Sequence, residues 1–139
     1  MPIRSTIDHF NRVVVGVGEG ILTIEDLVVF GVEILKAKVV HYGKIIDVAT
    51  CEPGFTVVEL TAFAQIVREQ AAHTERGPLA FVVDPKRGEM ARLFAGFDID
   101  GRPANTFRSL HEARHWLARF QAEALERAAA SATRVRPPR

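Results

Sequence analysis

Short runs of apolar residues alternate along this chain with longer stretches whose apolar residues recur every three or four positions. Ser5–Asp8 and the valine-rich Arg12–Gly18 (RVVVGVG) fit β-strands, and His9-Phe10-Asn11 between them can turn, which predicts a hairpin. Thr23 opens a helix, where Thr23 and Asp26 resemble a capping box with Asp in place of the usual Glu. At about 100° per residue, Ile24, Leu27, Val28, Gly31, Ile34 and Leu35 share one face. Val29, Phe30 and Val32 fall outside it, so the apolar surface is wider than a one-sided helix needs.

Lys44–Ala49 (KIIDVA) predicts the next strand. Pro53-Gly54 lies in the loop that follows, and Thr56 with Glu59 forms a T-x-x-E capping box. Leu60, Phe63, Ala64, Val67 and Ala71 make that helix's stripe, which Gly77-Pro78 stops. Leu79–Val83 (LAFVV) is a continuous apolar run, the pattern of a central strand covered on both faces. Asp84-Pro85 predicts an N-cap with proline at the first helical position, and Met90, Leu93, Phe94 and Phe97 line one face beyond it. Asp98–Pro103 predicts a turn and Asn105–Arg108 a last strand. Ser109 and Glu112 cap a final helix that turns Leu110, Ala113, Trp116, Leu117 and Phe120 to the core. The order β-β-α-β-α-β-α-β-α predicts an α/β fold: a mostly parallel five-stranded sheet with an N-terminal hairpin, flanked by helices.

Length and composition narrow the picture. The 139 residues suit one domain, expected over residues 1–128, followed by a disordered basic tail over 129–139. With 18 Lys and Arg against 17 Asp and Glu, the chain lacks the basic footprint of a duplex binder, and no nucleic-acid partner is expected. A lone cysteine cannot form an internal disulfide. The longest purely apolar run, Leu27–Val32, is too short to span a bilayer, and the N-terminus lacks an apolar signal-peptide core. A cytoplasmic protein is expected.

Four segments carry a family likeness: Gly20–Asp26 (GILTIED), Lys44–Asp47 (KIID), Ala91–Phe94 (ARLF) and Phe107–Leu117 (FRSLHEARHWL). In this order and spacing, over about residues 5–120, the chain resembles the SpoIIAA-like family, also described as STAS-like. The resemblance implies a fold shared with anti-sigma-factor antagonists and similar to CRAL-TRIO lipid-binding domains. It also implies a binding or regulatory role without catalysis, homodimerisation, and contact with membranes or with small lipophilic ligands. The antagonists carry an Asp-Ser-Ser-Gly-like segment with a phosphorylated serine at the start of the second helix. Here the matching stretch is Glu52-Pro53-Gly54-Phe55-Thr56, where only Thr56 offers a hydroxyl. A phosphorylatable antagonist acting through Thr56 is therefore an alternative reading.

Motifs of catalysis and metal binding are incomplete. His111-Glu112-Ala113-Arg114-His115 is a literal H-E-x-x-H, the helical pattern with which zinc proteases hold a metal. A metal-dependent hydrolase built on His111, Glu112 and His115 is the second alternative. Against it, Glu112 occupies a capping position, both histidines fall opposite the apolar stripe, and Ala118 and Gln121 replace the Gly and His of the extended metzincin motif. Gly16-Val17-Gly18-Glu19-Gly20 departs from the dinucleotide fingerprint at Ile21 and fits a twisted strand end. Asp98-Ile99-Asp100-Gly101 hints at a calcium loop but continues with Arg102 and Pro103, and Ser109 stands where the closing glutamate belongs. Cys51, beside Glu52, fits an unreactive, partly buried thiol. No catalytic residue, metal or cofactor is expected.

Two binding surfaces remain. Open parallel sheets bind ligands beyond the carboxyl ends of their strands, and helix N-termini there favour anions. That rim carries Asp47, Thr50, Thr56, Asp84, Lys86, Arg87 and Arg108, the candidates for a small anionic ligand. The surplus on the first helix, Val29, Phe30 and Val32, predicts in order a dimer seam, a lipophilic pocket or a membrane-facing surface, with extra core as the plain alternative.

Overall fold

The computed structural model describes residues 3–70, 76–95 and 104–134. Its elements are β1 (Ile3–Asp8), β2 (Val13–Gly18), β3 (Gly20–Leu22), α1 (Ile24–Ala37), β4 (Gly43–Asp47), β5 (Cys51–Pro53), α2 (Val57–Gln70), β6 (Leu79–Val82), α3 (Gly88–Ala95), β7 (Ala104–Phe107) and α4 (Leu110–Arg134). The expected hairpin is β1–β2, antiparallel, with Ile3 opposite Gly18 and Asp8 opposite Val13. Its turn is tied by the Asp8 carboxylate, which accepts the Asn11 backbone N–H at 3.0 Å and its side-chain amide at 2.7 Å. From β2 the sheet grows in parallel, giving the order β1-β2-β4-β6-β7 in one five-stranded layer.

The period-two alternation of the strands sorts the core into two layers. Val14, Ile46, Val48, Leu79, Phe81 and Val83 face the side covered by α1, α2 and α3. Val13, Val15, Ile45, Ala80 and Val82 face the other side, closed by Ala113 and Leu117 of α4. Both predicted capping boxes form. Thr23 Oγ1 accepts from Asp26 N–H at 3.2 Å while the Asp26 carboxylate accepts from Thr23 N–H at 2.8 Å. Thr56 and Glu59 exchange the same pair of bonds at 3.2 and 3.0 Å.

The structure corrects the predicted elements in four places. Phe30, expected outside the core face, is only 5% exposed, and the buried residues of α1 are Leu27, Phe30 and Ile34. The helix is therefore turned by roughly 60° from the stripe its periodicity suggests. The cause lies on β2. A Cβ on Gly16 would meet Phe30 Cε1 at 2.8 Å, so the missing side chain makes the room the ring fills. A second difference is the small parallel sheet β3–β5, placed where loops were predicted. Three-residue strands carrying Gly20 and Pro53 give too short and too irregular a pattern to show. Third, the segment after β6 does not enter a helix at Pro85. Asp84 Oδ1 accepts from Lys86 N–H at 2.9 Å and Arg87 N–H donates to the Asp84 carbonyl at 2.9 Å, closing a separate turn before α3 starts at Gly88. Fourth, α4 runs through residues 129–134, assigned above to the tail, because Ala128-Ala129-Ala130 propagates a helix well. Residues 135–139, Ala71, Phe97 and the Asp98–Pro103 turn with its calcium-like motif lie outside the described residues.

One close approach is unforgiving. Gly77 donates its N–H to the Val40 carbonyl at 3.0 Å, and a Cβ there would stand 2.1 Å from the Tyr42 carbonyl oxygen. Both atoms belong to backbone that leads into the sheet, so neither can step aside without moving a strand. Gly77→Ala is expected to lower stability by more than about 2 kcal/mol in urea unfolding; an unchanged midpoint would refute the contact.

Cys51, the first residue of β5, is 1% exposed rather than partly buried. Its desolvation, reinforced by the nearby Asp47 carboxylate, pushes the thiol up from 9.0 to about 11. Between those values the unfolded chain has lost a proton that the folded chain keeps, so stability falls as pH rises through the window. Between about pH 8 and about pH 11, wild-type stability is expected to drop by about 2 kcal/mol more than that of Cys51→Ala. Parallel losses in the two proteins would show that Cys51 does not titrate as described.

Candidate functional site

At the carboxyl ends of the strands, several of the predicted rim side chains hydrogen-bond to backbone. Asp47 ends β4, and its Oδ1 accepts from Ala49 N–H at 3.1 Å. Thr50 Oγ1 donates to the Gly18 carbonyl at 3.3 Å, and Arg87 Nη1 reaches the Thr50 carbonyl at 3.5 Å. Asp47, Thr50 and Arg87 thus gather around the crossing from β4 to β5. Asp84 is engaged in its own turn with Lys86 N–H. The Thr56 hydroxyl is engaged with Glu59 on both sides, accepting from its N–H and donating to its carboxylate. A phosphate there would stand against that carboxylate. Lys86 and Arg108 are exposed.

The H-E-x-x-H residues His111, Glu112 and His115 are exposed at the start of α4, and Glu112 N–H donates to Ser109 Oγ at 3.2 Å. Among the described residues, no group of three His, Cys, Asp or Glu side chains is placed to hold a metal ion. Among them, too, no helix is long and apolar enough to cross a membrane.

A concave site lies elsewhere. A cavity of about 440 Å³ opens between α1 and α2 over the sheet. Its floor is Ile46, Leu79 and Phe81, its walls are Phe30 and Ile34 of α1 and Phe63 and Val67 of α2, and Phe94 of α3 also lines it. The lip is apolar and solvent-exposed: Val28, Val32 and Leu35 on α1, and Ile66, 55% exposed, on α2. The turn of α1 explains this geometry. Seating Phe30 over Gly16 swings the Val28, Val32 and Leu35 edge away from the sheet and toward α2.

One sector of the cavity is polar. Lys44, at the start of β4, is 5% exposed, and its Nζ donates to the Val40 and Tyr42 carbonyls. It pairs across to Leu79, so Arg76 and Gln70, which also line the cavity, approach from the same amino-terminal edge of the sheet. This is the edge opposite the predicted rim. The α1 candidates divide accordingly. Phe30 forms wall and core, Val32 forms lip, and Val29 is 41% exposed and outside the lining.

Sequence reasoning missed Lys44, Phe63, Ile66 and Arg76 as site residues. A signal existed for the first, since Lys44 is in phase with Ile46 and Val48, a charge on an otherwise apolar inward face. Ile66 was legible as an apolar residue off the α2 stripe. Arg76 carried no signal.

No family model matches the sequence, and no curated protein matches it. Among solved structures, the chain is similar to an uncharacterised protein of the DUF3478 family from Shewanella loihica, which has a SpoIIAA-like fold. Identity is 15%, the TM-score is 0.57, and the alignment covers 83% of this chain and 91% of that one. At that identity the likeness concerns the fold. It agrees with the parallel sheet, the N-terminal hairpin and the flanking helices described above, and the architecture of this chain is SpoIIAA-like.

Proposed function

We propose that the protein is a non-catalytic binding module that takes a lipophilic small molecule into the cavity between α1 and α2. The observation that carries this reading is the cavity itself, about 440 Å³ and lined almost wholly by apolar side chains. Its size lies within the ~300–1,000 Å³ typical of small-molecule sites. The exposed lip adds a driving force, because each Å² of apolar surface removed from water contributes about 25 cal/mol. A ligand bridging α1 and α2 would cover Val28, Val32, Leu35 and Ile66 together.

A homodimer is a second reading, favoured by Val29. That side chain is exposed on α1 but does not line the cavity, so a cavity ligand leaves it uncovered. Native mass spectrometry of the purified protein separates the two. A monomer with a reproducible small-molecule adduct supports the cavity, and an adduct-free dimer supports the seam.

Ile66→Arg tests the cavity reading directly. The side chain is largely exposed, so the variant should fold, while a guanidinium on the lip obstructs entry and makes it polar. Binding of the neutral apolar dye Nile red is expected to weaken at least about tenfold. Undiminished binding in a folded variant would place the ligand elsewhere.

A further inference from the structure

Nothing in the lipophilic reading says which way round a ligand enters or what its polar end is. The cavity's own lining bears on both. Its polar side chains, among the described residues, are Lys44, Gln70 and Arg76: two cations and an amide, with no carboxylate. They converge on one edge. Lys44 begins its strand and its backbone N–H donates to the Pro78 carbonyl at 2.9 Å, which ties it to the segment that leads from Arg76 into β6. Gln70 is the last residue of α2. Phe30, Phe81 and Phe94 supply aromatic surface to the remainder of the lining. The cavity is therefore polarised, apolar through most of its lining and cationic at one edge.

From this we infer that the ligand is a single-chain monocarboxylate, a fatty acid, with its alkyl chain among the phenylalanines and its carboxylate toward Lys44 and Arg76. The inference rests on the lipophilic-cavity reading and names the ligand class for it. An alkyl chain needs no hydrogen-bond partner and suits a lining without polar groups. A head group at the other edge meets donors of the right charge, and charge-assisted bonds from ammonium or guanidinium to carboxylate are roughly twice as strong as neutral ones. Lys44 is almost fully buried, so a head group beside it is largely desolvated. A monoanion bears that desolvation far better than the dianion of a phosphate monoester. Arg76 is half-buried and Gln70 exposed, so the head keeps an outlet to water.

The experiment is displacement of Nile red at neutral pH by four probes of one chain length: dodecanoate, dodecanol, dodecylammonium and dodecyl phosphate, all below their micellar concentrations. Dodecanoate is expected to displace the dye at a concentration at least about tenfold lower than dodecylammonium, with dodecanol between them. Lys44→Met keeps an unbranched side chain, one heavy atom shorter, and removes its charge. Arg76→Gln removes the charge at a half-buried position and leaves a shorter, neutral amide. Each variant is expected to narrow the preference for the carboxylate while leaving dodecanol displacement within about threefold of wild type. Equal displacement by dodecanoate and dodecylammonium in the wild type overturns the inference and leaves the lipophilic reading standing. So does a preference for dodecyl phosphate over dodecanoate. A carboxylate preference that neither substitution alters overturns the placement of the head group. If Nile red does not bind and no probe binds by calorimetry, the lipophilic reading fails and the inference fails with it.

Discussion

The packing of one ring against one glycine governs how the α1 side of this molecule is arranged. Phe30 occupies the space that a side chain on Gly16 would fill, and its burial is worth about 2 kcal/mol. Because a helix is rigid, fixing one residue on the sheet fixes the azimuth of all the others. Leu27 and Ile34 follow Phe30 into the core, and Val28, Val32 and Leu35 are carried to the edge that faces α2. A different residue at position 16 would push the ring out, rotate the helix back and change the gap between the two helices. The concavity is thus a consequence of how α1 is keyed into β2.

The two faces of the sheet are finished differently. On one, α4 lays Ala113 and Leu117 against Val13, Val15, Ile45, Ala80 and Val82 and closes that layer. On the other, three helices cover a wider set of side chains, and α1 and α2 leave a gap at the amino-terminal edge. The general expectation for parallel sheets points to the carboxyl-terminal edge, where loops and helix N-termini converge. Here much of the hydrogen bonding on that edge is local, Asp47 to Ala49, Asp84 to Lys86 and Thr56 with Glu59, while Thr50 reaches across to Gly18. The hairpin, the crossovers and the two capping boxes serve the scaffold, and the concave surface forms where two helices diverge.

The fold was legible because its signals are local and periodic. The valine-rich and continuous apolar runs in Val13–Gly18 and Leu79–Val83, the T-x-x-D and T-x-x-E boxes, and the apolar stripes of α2 and α4 each appear within a window of a few residues. The site was less legible because it depends on relations between distant segments. Nothing near Phe30 in the chain announces that Gly16 will leave room for it, so periodicity alone points to a helix face rotated from the one that packs. Lys44 showed only its place in a strand, since its meaning as a cavity cation depends on Gln70 and Arg76 arriving at the same edge. The valine surplus on α1 was visible. Its division into lip residues and the outward Val29 required the helix azimuth.

The length of α4 has a consequence of another kind. Its packing thins out beyond Gln121, whose amide donates to the Arg12 carbonyl at 3.1 Å, and past the half-buried Ala124 the helix continues to Arg134 with Leu125 exposed. A segment of that length is marginal as an isolated helix and persists here as an extension of a turn already fixed to the sheet. Its amides open by fraying from the end, without unfolding the domain, whereas those near Ala113 and Leu117 open only when the core does. One continuous helix thus spans two cooperative regimes, which meet in the turn between Gln121 and Ala124.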